Sequence, residues 1–192
     1  MKHKDKDKID EEALTLEYSN EDDRAYGLAG MAISIAALDA FDRVAEVSLD
    51  GDDDTMVEFS NEYYFSGSPS ISPKSTWDNL VQNFHITASM VISNVMSRSM
   101  VRMHRDVPVD VLGALHEEIL REGRDSCGLE DDEIDALFNR TLSYSRRIFS
   151  NPRLHPAIDE FARIISRRRT LRCSPIVWGL GKPLKLLPPL WK

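Results

Sequence analysis

The stretch SRSMVRMHR, Ser97 to Arg105, is where this chain gathers residues able to handle an anion. If it is helical, Arg98, Arg102 and Arg105 fall at i, i+4 and i+7 and share one face, with His104 close to the same edge. Guanidinium groups grip phosphate through paired N–H donors, and an imidazole can move a proton. The plainer expectation is a basic stripe paired with acids on the first or third helix. The other candidate chemistry is thinner. The run Asp50-Gly51-Asp52-Asp53-Asp54, with Glu58 nearby, puts glycine second where a calcium loop needs it sixth, so a solvated turn is expected and no metal. His3, His85, His104, His116 and His155 form neither HExxH nor a bundle Glu-x-x-His pattern. His155 precedes a helix-initiating proline and reads as a cap. Cys127 and Cys173 have no histidine near them in sequence, and GxSxG is absent. GLAG (Gly27–Gly30) sits inside a helical pattern, and GLGK (Gly179–Lys182) lacks the Walker spacing. No cofactor is implied.

The elements that must position these residues read as helices. Asn20 is an N-cap ahead of Glu21, Asp22 and Asp23, whose charges suit a helix start, and the helix runs to about Val47. Its many Gly and Ala residues let neighbours approach, which places it at the centre of a bundle. Val47–Leu49 and Thr55–Phe59 flank an Asp-Gly turn signal, so a small β-hairpin or an irregular excursion is expected over 48–75. The longest helix follows, from Thr76 to about His104, with Met90, Met96, Met100 and Met103 as adaptable core. A third starts near Pro108 and ends near Gly123 or Gly128, and a fourth opens in LEDDEIDAL and stops at Asn151-Pro152. The fifth opens at Pro156 and continues through Arg167, Arg168, Arg169 and Arg172. The fold class is therefore all-α: an antiparallel bundle of about five helices with the 48–75 excursion. Residues 1–18 read as a mobile charged arm, 19–172 as one helical domain, and 173–192 as an apolar, Pro-containing basic strap.

Charge separates these regions. The 192 residues carry a formal −8, yet residues 1–60 hold 6 Lys/Arg against 17 Asp/Glu, and 161–192 hold 8 against none. An acidic chain is not built mainly to coat nucleic acid, although a local anion site at Arg98, Arg102, Arg105, Arg167, Arg168 and Arg169 stays open. The apolar run Ala25–Leu38 has 14 uncharged residues where a spanning helix needs about 20, so no membrane is expected. Two cysteines far apart suit a reducing compartment, and the cytoplasm is the expected location. Prolines 183, 188 and 189 forbid a regular helix in the strap. Its Trp178, Leu184, Leu187, Leu190 and Trp191 must pack on their own bundle or on another chain. The leading expectation is a non-enzymatic interaction or structural protein, self-associating or partner-bound through that segment. One alternative comes from Arg98-x5-His104, which over seven residues resembles the HEPN ribonucleases. The resemblance implies a small helical ribonuclease in which Arg98 binds phosphate and His104 moves a proton. Non-catalytic nucleic-acid binding is the third class.

Overall fold

The computed structural model describes residues 13–52, 55–64 and 73–173. Six helices and a three-stranded sheet make up these residues: α1 (Glu21–Ala37), β1 (Val44–Ser48), β2 (Val57–Phe59), α2 (Asn61–Tyr64), α3 (Pro73–Met96), α4 (Val109–Cys127), α5 (Asp131–Phe149), α6 (His155–Arg168) and β3 (Thr170–Arg172). The fold is mostly helical, with a small antiparallel sheet attached to the bundle.

Helix α1 is the hub, in contact with α3, α6 and the turn that follows α3. Asn20 caps it as the sequence implied, its side chain accepting from the Asp23 N–H at 2.9 Å. Nearly every residue from Ala25 to Ala36 is buried, which the small side chains permit. Gly30 shows how close the packing is. A Cβ there would lie 2.1 Å from the Ser93 carbonyl oxygen and 2.7 Å from Ser97 Cβ, so the α1 and α3 backbones meet where no larger residue fits. Among the described residues no helix is long and apolar enough to cross a membrane.

The helix predicted to reach Val47 stops at Ala37. Leu38 closes it with an N–H bond to the Ser34 carbonyl, and Asp39 turns to φ 53°. A single 3-10 turn (Phe41–Arg43) then leads into β1. The expected hairpin is present, with β1 antiparallel to β2. A third strand was not foreseen. The fifth predicted helix ends at Arg168 rather than running through Arg172, because Arg169 adopts φ 66° and the chain re-enters the sheet as β3. Strand order is β2-β1-β3, and Glu46, Val47 and Ser48 of β1 face Arg172, Leu171 and Thr170. Val44, Val47 and Leu171 are buried, so the inner face of the sheet joins the core. Arg24 of α1 holds the hairpin by donating to the Gly51 carbonyl.

The remaining helices follow their sequence signals. Gly128 ends α4 in the left-handed region at φ 62°, which favours glycine. Glu130 and Glu133 form a reciprocal capping box at the start of α5. The long predicted helix is α3 with one difference: its last turn, Ser97–Arg102, widens into a π-helix. The bond from the Met103 N–H to the Arg98 carbonyl, at 3.1 Å, closes that wide turn. Pi turns of this kind insert an extra residue and recur at functional sites.

Candidate functional site

The π turn decides what each arginine of SRSMVRMHR can do. Arg98 points inward and is 1% exposed, although it had been placed on an open anion-binding face. Its Nη2 donates to Asp23 Oδ2 at 2.6 Å and to the Glu17 carbonyl at 2.7 Å, while Nη1 reaches the Leu16 carbonyl at 3.2 Å. The guanidinium carbon lies 4.7 Å from the centroid of the Tyr18 ring. Asp23 is equally buried, and it also accepts from the Ser19 N–H at 3.1 Å. Burial alone pushes the Asp23 carboxyl up. Hydrogen bonds from Arg98 and Ser19, with the charges of Arg98 and Arg102, outweigh that and hold it below the usual carboxylate range. Tyr18 is fixed in turn by Asn94, whose Nδ2 donates to its hydroxyl at 2.5 Å. Arg98 thus clamps the segment from Leu14 to Ser19 over the start of α1. Leu14, 5% exposed, is the apolar end of that clamp.

Arg102 stays nearer the rim, donating to Asp22 at 2.9 Å and Asp23 at 3.3 Å. The expected pairing of this basic stripe with acids of the first helix is therefore present, but Arg98 pairs in the interior.

His104 leaves in another direction. It is exposed, at φ 52°, one residue beyond the π turn's closing Met103. The next residue is tied back on both sides: the Arg105 N–H donates to the Ser99 carbonyl at 3.0 Å, and Ser99 Oγ donates to the Arg105 carbonyl at 2.9 Å. His104 and Arg105 line a cleft of about 400 Å³ together with Asp106, Ser150 and His155, over a floor of Met100 and Phe149. Arg98 does not line it. The structure therefore separates Arg98 and His104, the pair marked by the Arg-x5-His spacing, and sets His104 beside Arg105 and His155 instead. His155 does not cap its own helix as expected. Its Nε2 donates to the Phe149 carbonyl at 2.8 Å, at the C-terminal end of α5, which fixes the ring and leaves Nδ1 as the free nitrogen. The sequence signal for this neighbour was the short NPRLHP turn, which folds the start of α6 back onto the end of α5.

The other predicted residues lie elsewhere. Arg167 and Arg168 are exposed in the last turn of α6. Arg169 is committed to two acids, Glu21 at 2.6 Å and Asp50 at 2.6 Å, which raise its pKa further. That pairing takes Asp50 out of the aspartate cluster, and among the described residues no three His, Cys, Asp or Glu groups come together to hold a metal ion. Trp178, Leu184, Leu187, Leu190 and Trp191 lie outside the described residues.

Both cysteines are free thiols. Burial, with Asp42 nearby, pushes the Cys173 thiol up to about 12, and burial with Glu122 raises Cys127. Thiols held protonated in this way are poor nucleophiles. His85 borders a separate cleft of about 280 Å³ with Asp78, Gln82 and Arg140. Burial, followed by the Arg140 charge, pulls its pKa down to about 4, so it is a neutral imidazole at physiological pH. No protein-family model, curated protein or solved structure matches the chain.

Proposed function

We propose that this chain is a helical interaction protein that binds a protein partner, or a second copy of itself, through the segment following β3. The observation carrying the reading is where that segment begins. β3 is an edge strand, and the Cys173 N–H donates to the Ala45 carbonyl at 2.8 Å, so the chain leaves the sheet from a fixed point. The next 19 residues, 174–192, carry nine large apolar side chains, including two tryptophans, and three lysines without an acid. So apolar a run needs a surface to cover it. An extended segment continuing from a sheet edge is a common way for one chain to dock on another.

The fate of Arg98 also favours binding over catalysis. The ribonuclease alternative requires its guanidinium in an open cleft with His104, and that group is occupied by Asp23 and two carbonyls. The two unpaired thiols suit a reducing compartment, and the cytoplasm is the location this reading takes.

The test is the solution mass of the full chain beside a chain ending at Ser174, by light scattering over a range of concentrations. An oligomeric full chain with a folded monomeric truncation supports docking between copies. A monomeric full chain that is as stable as its truncation leaves a separate partner, to be sought with the 174–192 peptide. If both are monomers and the truncation is destabilised, the segment covers its own bundle and the proposal fails.

A further inference from the structure

The His104 cleft is one half of a longer feature. At Ser150, which lines both, it meets a second, larger depression of about 710 Å³, flanked by Arg146 and Arg147 and floored by Leu142. Both arginines are exposed in the last turn of α5, where the helix dipole favours cations. That alone explains a basic residue there, but not the alignment with the neighbouring cleft. Among the described residues no carboxylate pairs with Arg146. Arg147 lies 5.7 Å from the Tyr144 ring centroid, a stacking contact that leaves its N–H donors available.

The joined path therefore runs from Arg147 and Arg146, past the Ser150 hydroxyl, to His104, Arg105 and His155. Among the described residues Asp106 is the single acid on its walls. The exposed guanidinium groups of Arg146 and Arg147, without a carboxylate partner among the described residues, make this stretch locally positive on a chain whose formal charge is −8. The wall groups are planar N–H forks, imidazoles and hydroxyls, the set that recognises tetrahedral phosphate oxygens. Basic groups stand on both sides of Ser150, so the path suits a ligand with successive phosphates more than one with a single phosphate. The backbone at His104 is committed to this arrangement, since Ser99 ties Arg105 on both sides and holds His104 at positive φ.

We propose that this path binds the phosphodiester backbone of a single-stranded nucleic acid, with His104 and Arg105 on one phosphate, Arg146 and Arg147 on its neighbours, and His155 contributing a donor from Nδ1 only as the imidazolium. The proposal does not depend on the docking proposal.

The experiment is fluorescence anisotropy of a labelled single-stranded oligonucleotide of about 8 nucleotides, as RNA and as DNA, titrated with the full chain at several salt concentrations. Three engaged phosphates give a log K against log salt slope of about −2 for a single strand. The variant Arg146→Gln/Arg147→Gln alters only exposed side chains, and it should lower affinity at least about tenfold and flatten the slope by about 1.4. His104→Gly removes the imidazole at a backbone angle that glycine adopts more easily, so it should weaken binding without unfolding the chain. Inorganic phosphate should compete only at far higher concentration than unlabelled strand. Binding unchanged in both variants would place the nucleic acid elsewhere, on the basic residues from Arg163 onward, and overturn the proposal. So would the absence of saturable binding at low salt, or phosphate competing as well as the strand.

Discussion

Replacing Arg98 with methionine removes the centre of the clamp and keeps much of its volume. Asp23, 1% exposed, then loses its 2.6 Å partner and keeps Arg102 at 3.3 Å with the neutral Ser19 donors at 3.1 and 3.2 Å. The Leu16 and Glu17 carbonyls each lose a charged donor. Breaking a buried pair by deleting one member costs about 3–5 kcal/mol, because the surviving charge is left without compensation. That is a large share of the roughly 5–15 kcal/mol that holds a typical domain together. In a chain of this size it corresponds to a Tm fall of roughly 10 °C. The assay is urea unfolding of the wild type, Arg98→Met, Asp23→Leu and the double variant. Removing both charges removes the stranded one, so the double variant should be more stable than the sum of the singles by about 2 kcal/mol. Limited proteolysis adds a local readout, since Arg98→Met should open the segment 14–19 to cleavage before the bundle unfolds. A loss below about 1 kcal/mol with additive singles would refute the reasoning, and Arg98 would then be available for other work.

Two further predictions concern stability. Gly30→Ala places a methyl 2.1 Å from the Ser93 carbonyl, so α1 and α3 must separate; a loss of about 2–3 kcal/mol is expected, read from the thermal midpoint. His85 sits near 4 rather than its ordinary 6.5, so the native state holds it neutral while the unfolded chain takes up a proton. Its contribution is intact above pH 6.5 and is lost as pH falls towards 4, by about 3 kcal/mol in total. His85→Leu should flatten that part of the stability profile in urea titrations at stepped pH. The Asp23 contribution lies in a lower window. Its carboxyl is held below its ordinary 3.8, so its stabilisation remains until pH falls past that value.

The helices were legible because their ends are chemically marked: Asn20 before three acids, Glu130 with Glu133, Gly128 in the left-handed region. The extension of α1 to Val47 misread a pattern that a strand can imitate. β1 carries a bulge between Val44 and Glu46, and the extra residue puts Val44 and Val47, three apart, both in the core. Three-residue spacing is also the signature of a helix face, so periodicity alone favours the wrong element. β3 was hidden for a different reason. The partners that meet this turn, Glu21 and Asp50 on Arg169 and β1 on Thr170–Arg172, are far away in sequence.

The candidate site divided in the same way. The residues of SRSMVRMHR were visible as chemistry, but an ideal helix put Arg98 and Arg105 on one face, and the π turn separates them. His155, Ser150 and the α5 arginines join His104 only through the fold-back at Asn151, a tertiary event without a spacing rule.

The sheet has a kinetic consequence. Glu46 pairs with Arg172, so the β1–β3 ladder closes a chain segment that contains α3, α4, α5 and α6. Closing so long a loop on a three-residue strand returns few contacts for the entropy lost, until the helices have already brought its ends together. The hairpin of β1 and β2 is local and can form early, with the other edge of β1 left open. That edge is an exposed template throughout folding, ready to accept any extended segment, including β3 of a neighbouring molecule. Slow refolding at high protein concentration should therefore yield exchanged dimers joined through the residues after Arg168, a failure mode set by chain order and not by the stability of the finished bundle.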